Sequence, residues 1–290
     1  MDETVRPAAA AGRLYPGRAS ALAREVDAYL EAAQPVARPL DGRAPKMLLV
    51  PHAAYVYSGP VAASAYACMA PLRGRIRRVV LLGPAHRVAV RGLMAPLAAA
   101  FDTPLGRVAL DRKAISTLDG LPQVAAGDRA HAEEHALEVQ LPFLQRVLGA
   151  FRLVPLVVGQ AAPDEVAEVL ERLWGGDETL VVVSSDLSHH LPYAEARRRD
   201  EATLARVLAL DPALGHDEAC GAAPLAGALL AARRHGLAPR LLDLRSSGDT
   251  AGDRQCVVGY AAVAFLAATP AVRGIDDGQA AAGAAGRFRD

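Results

Sequence analysis

The sequence predicts an α/β fold, a single domain with a central sheet flanked by helices on both faces. Three observations predict it. Short bursts rich in Val and Leu recur along the chain, each closed by Pro, Gly, Ser or Asp, as buried strands are. Helical stripes lie between those bursts, and this alternation is the pattern of a covered sheet. No Pro/Gly/Ser-rich linker and no repeat of fixed period divides the 290 residues.

The predicted strands, in order, are 46–51 (KMLLVP), 77–84 (RRVVLLGP), 151–158 (FRLVPLVV), 179–184 (TLVVVS), 240–244 (RLLDL) and 256–265 (CVVGYAAVAF). Runs apolar on both faces belong to a sheet covered on both sides. The first predicted helix is 18–33, where Leu22, Val26 and Leu30 recur every four residues on one stripe. A second stripe covers 133–148 and is interrupted by Pro142. A third helix, 163–174, opens on Pro163-Asp164-Glu165, a favourable first turn. Helices over 195–210 and 224–235 complete the set. Residues 1–268 are expected to form the domain. Residues 269–290 are small and polar without periodicity, and are expected to be a disordered tail.

Composition narrows the function classes. Hydrophobic residues make up 52% and charged residues 22%, which excludes bulk disorder. Lys plus Arg and Asp plus Glu cancel at 32 each, which argues against a nucleic-acid partner. The longest apolar stretch, GYAAVAFLAATPAV, falls short of the roughly 20 residues of a membrane helix, so no membrane is expected. No signal peptide is visible at the N-terminus. Three scattered cysteines without a CxxC pair suit a reducing cytoplasm. Cys68 and Cys256 fall inside apolar patterns and read as core fillers.

Three strands run into histidine. LLVP leads to His52, VVLLGP to His86, and VVVSSD to His189 and His190. Strand carboxyl ends in an α/β sheet open into one crevice, so these imidazoles converge there if the strands are parallel. Any one of them alone reads as a satisfied polar residue. Two imidazoles with a third anionic donor make an open site for a transition metal. Cys220, just ahead of Gly221 and the helix predicted from Pro224, is the preferred third donor, because a helix N-terminus and a metal both stabilise a thiolate. Glu218 is the carboxylate alternative. His131 and His135 have the i, i+4 spacing of a helical zinc pair, but Glu133 and Glu134 beside them equally suit a plain helix N-terminus. Asp186 either orients His189 as a base or caps the turn, and either His189 or His190 faces inward. His135 and Glu138, one helical turn apart, are candidate crevice residues. Tyr55, with Tyr57 and Tyr15, is either an aromatic wall over the site or ordinary packing.

Eight blocks resemble a known family in order and spacing. They are RPAAAAGRLYPG, PHAAYVYSGPVAASAYA, LLGPAHRV, FDTPLGRVALD, EEHALEVQLPFLQ, VVSSDLSHH, ACGAAPLAG and SSGDTAGDRQCVVGYAAVAF, running from Arg6 to Phe265. The family is Memo, also known as AmmeMemoRadiSam system protein B. The resemblance implies an extradiol-dioxygenase-subunit-B-like fold. It implies His52 and His86 as metal ligands, Cys220 in place of the glutamate of class III extradiol dioxygenases, and His189 at their general acid/base position. It implies iron, as Fe(II), or copper, a redox role on an unknown small molecule, and association with radical-SAM and AMMECR1-like proteins. A signalling-adaptor role is a further implication drawn from animal members. Two departures stand out. Ala54 replaces the glycine of PHAGY, which is tolerated unless φ must be positive. CGAAP lacks the basic residue of CGRxP, so a cation for an anionic substrate is missing there.

Three functions therefore compete. One is a non-haem, dioxygenase-like metal oxidoreductase. The second is a non-catalytic metal- or peptide-binding module. The third is a cysteine-nucleophile hydrolase using Cys220, His189 and Asp186, which leaves His52 and His86 unexplained.

Overall fold

The computed structural model describes residues 4–33, 40 and 43–267. The predicted tail at 269–290 lies outside the described residues. The chain order is β1 (Val5–Arg6), α1 (Ala19–Ala33), β2 (Pro45–Val50), α2 (Tyr55–Tyr66), β3 (Arg78–Pro84), β4 (Leu93–Ala95), β5 (Ala100–Thr103), β6 (Gly106–Ala109), α3 (Arg112–Ser116), β7 (Val124–Ala126), α4 (Arg129–Ala132), α5 (His135–Glu138), α6 (Leu141–Leu148), β8 (Arg152–Val158), α7 (Pro163–Leu173), β9 (Thr179–Ser184), β10 (His189–Leu191), α8 (Tyr193–Leu208), α9 (Ala222–Arg234), β11 (Leu237–Ser246) and β12 (Val257–Ala267).

The main sheet is mixed and has nine strands, in the order β10-β12-β2-β9-β3-β8-β4-β7, with β11 also paired to β12. Its centre is parallel: β2 pairs β9, β9 pairs β3, and β3 pairs β8. β12 runs antiparallel to β2 and β11. The central strands carry Leu, Val and Met with both faces buried. One helical layer comprises α1, α2 and α6, and another is built from α7 and α9. A small sheet, β1-β5-β6, sits apart from the main one.

All six predicted strands and four of the five predicted helices are present. The stripe over 133–148 is two helices, α5 and α6, because Pro142 lies in the first turn of α6, where its missing N–H costs nothing. Helix α2 and the small sheet were not predicted. α2 is buried nearly all round, so it has no polar face to set a period. The strands of the small sheet are two to four residues long, too short to alternate visibly. Cys256 is exposed and is not a core filler. It stands just before β12, where Asp253 Oδ1 accepts from its backbone N–H. Among the described residues no helix is long and apolar enough to cross a membrane.

Candidate metal centre

Parallel pairing places the ends of β2, β3 and β9 along one sheet edge. Val50 aligns with Ser184, and Leu82 with Val183. The chain beyond β2 therefore brings His52, and the chain beyond β3 brings His86, to the same edge. Cys220 arrives from elsewhere, at the N-terminus of α9. Gly221 permits that approach, since a Cβ there would stand 2.7 Å from Ser185 Cβ. The Gly221 N–H donates to Ser185 Oγ at 2.9 Å and fixes the helix end on the strand end.

One donor atom each from His52, His86 and Cys220 falls within 4.8 Å of the others. Cys220 Sγ is 3.1 Å from His52 Nε2. Bonds of about 2.0–2.3 Å to a shared ion require donors roughly 3–4 Å apart, which this spacing approaches.

Hydrogen bonds assign the ring tautomers. The Ser184 hydroxyl donates its one proton to Ala136 O at 2.7 Å. It must then accept from His52 Nδ1 at 2.9 Å, and it also accepts from Gln140 Nε2 at 2.8 Å. His52 Nε2 is left with its lone pair toward Cys220. His86 Nδ1 donates to Glu134 Oε1 at 2.8 Å, while the His86 backbone N–H donates to Glu134 Oε2 at 2.7 Å. Its Nε2 is free in the same way. A carboxylate or hydroxyl behind a ligating imidazole is the usual support of a metal-binding histidine.

Burial keeps His52 and Cys220 uncharged in the absence of an ion. Burial, helped by neighbouring His86, pushes His52 down to about 3. Burial and the Asp186 charge push the Cys220 thiol up to about 12. Burial would raise Glu134, but its hydrogen bond to His86 and the charge there outweigh that and leave it at about 2. A neutral imidazole is ready to ligate, and a metal is the agent that deprotonates a buried thiol. The residues present thus fit a soft-to-borderline transition metal.

The remaining candidates divide. His135 joins the cluster, its ring centroid 4.8 Å from that of His86 and 5.5 Å from that of His52. Its buried Nδ1 has no hydrogen-bond partner but lies 3.4 Å from Glu134 Oε1, and His135, His86 and Glu134 make a second group of candidate metal donors. Asp186 lies beneath the site. Its Oδ1 accepts from the His52 backbone N–H at 2.7 Å, and Oδ2 is 4.0 Å from His52 Nε2. It therefore holds His52 rather than bonding His189. His189 and His190 both line the cavity that the cluster opens into. His189 Nδ1 donates to Leu187 O at 2.9 Å, which leaves its Nε2 as acceptor.

Four expectations need correction. Glu138 is fully buried away from the crevice, bonded to Arg6, Tyr15 and the backbone N–H groups of Ala9 and Ala10. Tyr55 is packing and not a wall over the site: it is 2% exposed, its ring lies against Phe143, and its hydroxyl donates to Val139 O. His131 does not pair with His135, because the two sit on separate short helices. Its Nε2 donates to Met94 O at 2.9 Å. Glu218 accepts from Arg206 and the Gly215 N–H, and is not in the cluster. Ala54 has φ −57°, so no glycine is needed there. Sequence reasoning missed Glu134 as the support of His86. It also missed Ser184, the last residue of β9, which any buried strand could end on.

A family model described as Memo-like protein matches residues 6–264. A MEMO1 family protein from Ignicoccus hospitalis is 37% identical over 285 residues, spanning 90% of this chain and 98% of the relative. Another from Aeropyrum pernix is 37% identical, spanning 89% and 99%. One from Aquifex aeolicus is 34% identical, spanning 90% and 99%. Among solved structures, an uncharacterized protein from Escherichia coli K12 overlays 75% of this chain and 99% of its own, at 15% identity and a TM-score of 0.49.

Proposed function

The chain belongs to the Memo family, and from its site geometry we propose that it is a redox protein holding one iron or copper ion. The ligands are His52 Nε2, His86 Nε2 and Cys220 Sγ. The observation that carries this reading is the convergence of three donors from distant chain segments, with both imidazoles locked in the tautomer that leaves Nε2 open. When bound, the ion supplies a redox centre and a Lewis acid for a substrate oxygen.

The chain's own residues do the rest. Ser184, Glu134 and Asp186 hold the two imidazoles in place. His189 presents Nε2 to the cavity and accepts a proton from the substrate there, the general-base role in a dioxygenase-like reaction. Three free cysteines suit a reducing cytoplasm. The cysteine-nucleophile reading fares worse. It requires a depressed thiol and a raised imidazole, whereas burial drives Cys220 up and His52 down.

Metal analysis of untagged protein, loaded with iron or copper and desalted, tests the proposal. About one ion per chain is expected, and His52→Ala and Cys220→Ser are each expected to lose it while keeping their circular dichroism. Retention of no metal, or full metal in both variants, overturns it. Oxygen uptake by the loaded protein with catechols then separates an oxidoreductase from a non-catalytic metal-binding module.

A further inference from the structure

Two of the three donors, His86 and Cys220, line a cavity of about 890 Å³, with His52 buried behind them. That is room for a small molecule, as such sites run about 300–1,000 Å³. The cavity walls are unequal in charge. Asp217 is the one carboxylate on them among the described residues, and Arg199 Nη1 pairs with its Oδ2 at 3.1 Å. Arg91 is the other arginine on the walls. Arg91 is exposed at the rim, and among the described residues its guanidinium has no hydrogen bond and no ion pair to the protein.

Its backbone, by contrast, is held firmly. The Gln160 N–H donates to Val90 O at 2.9 Å, and the Gly92 N–H donates to Gln160 O at 2.8 Å, on either side of it. Arg91 follows His86 by five residues, so one loop delivers both a metal donor and a cation to the same space. The N-terminus of α9, with Ala223 and Pro224 on the wall, adds the positive end of a helix dipole.

We propose that the cavity selects a small organic anion, with its chelating oxygens toward His52, His86 and Cys220 and its carboxylate facing the Arg91 guanidinium. The planar fork of an unpaired arginine matches a carboxylate in two parallel hydrogen bonds. This assignment rests on the metal-site reading for the orientation of the molecule, and on Arg91 alone for its charge. It also supplies the cation that CGAAP lacks beside Cys220, from a different part of the chain.

The test is calorimetric binding of 3,4-dihydroxybenzoate and of catechol, which share their two hydroxyls and differ by one carboxylate. It is run on metal-loaded and metal-free protein. The expected result is a preference of about ten-fold for the anion. That preference should vanish in Arg91→Gln, return in part in Arg91→Lys, and persist in Arg199→Gln. Metal content should be the same in all. Equal affinities, an unchanged ratio in Arg91→Gln, or no binding of the anion at millimolar concentration each overturn the proposal. Failure of the metal site reads out separately, as protein without metal that still prefers the anion through Arg91.

Discussion

Two polar regions, one fully buried around Glu138 and one opening to the surface at His86, lie one helical turn apart on α5, and they are built to opposite rules. Around Glu138 every donor and acceptor is matched. Its Oε2 accepts from Arg6 Nη1 at 2.6 Å and from the Ala9 N–H at 2.8 Å, and its Oε1 accepts from the Ala10 N–H at 2.8 Å and from Tyr15 at 2.5 Å. Arg6 also donates to His131 O and Glu134 O. Around the second region the supporting nitrogens of His52 and His86 are matched, but His135 Nδ1 has no hydrogen-bond partner and His52 Nε2 meets only the Cys220 sulfur, 3.1 Å away. Burying a polar group without a partner costs free energy, so a fold retains such atoms where something else occupies them. The saturated region secures the N-terminal segment, and the open region is where chemistry is available.

Glu138 is the residue on which the saturated region depends most. Replacing it by alanine strands the buried Arg6 guanidinium, whose side chain is 4% exposed. A loss of about 3–5 kcal/mol in urea denaturation is expected, with metal bound per folded molecule unchanged. A loss below about 1 kcal/mol would show that the network is not the clamp described.

Acid sharpens the same contrast on the stability side. Burial holds His131 down to about 4, below the ordinary value of 6.5. The unfolded chain therefore takes up this proton first as pH falls. Stability is full above pH 6.5, declines between 6.5 and 4, and is lost no further from this group below 4. The contribution is about 3 kcal/mol at its limit. In metal-free protein the burial of His52 and His135 acts in the same direction. Urea midpoints from pH 7 to 4 should fall, and His131→Gln should flatten the fall.

How much of this was legible depends on the residue. His52, His86 and Cys220 were readable because each stands at the end of an apolar run or the start of a helix, and those positions share one sheet edge in a parallel fold. His135 and Glu138 were not separable, since i and i+3 share a face and a crevice pair looks like a clamp pair. What divides them is the N-terminal segment, whose Arg6 and Tyr15 reach Glu138 across more than 120 residues of sequence. Tyr55 was ambiguous for a related reason. Its neighbour Phe143 comes from α6, and no local pattern announces that contact. The short strands and the all-apolar α2 lacked periodicity, so only tertiary pairing defines them.

Glu134 joins the two regions, because its carboxylate serves His86 while its carbonyl accepts from Arg6. Glu134→Gln keeps one acceptor oxygen for the His86 ring and the Ala136 N–H, but it turns an NH2 toward the His86 backbone N–H and removes the charge behind the ring. Metal affinity should drop about 10–100-fold, measured by chelator competition, with a smaller loss of about 1–3 kcal/mol in urea denaturation. An unchanged affinity would mean that Glu134 belongs to the clamp alone.

The smallest expected effect discriminates most finely. Tyr15→Phe leaves the ring against Tyr55 and deletes one hydroxyl from the Glu138 carboxylate. Three donors remain on that carboxylate, and phenylalanine brings no new unsatisfied group. The cost should be that of one hydrogen bond to a charged acceptor with partners to spare, about 1–2 kcal/mol. Metal affinity should not move, because Tyr15 reaches the site only through Glu138, and Glu138 faces away from it. If this variant instead weakened metal binding ten-fold, the clamp and the centre would share one energetic unit, and the division between a saturated region and an open one would fail.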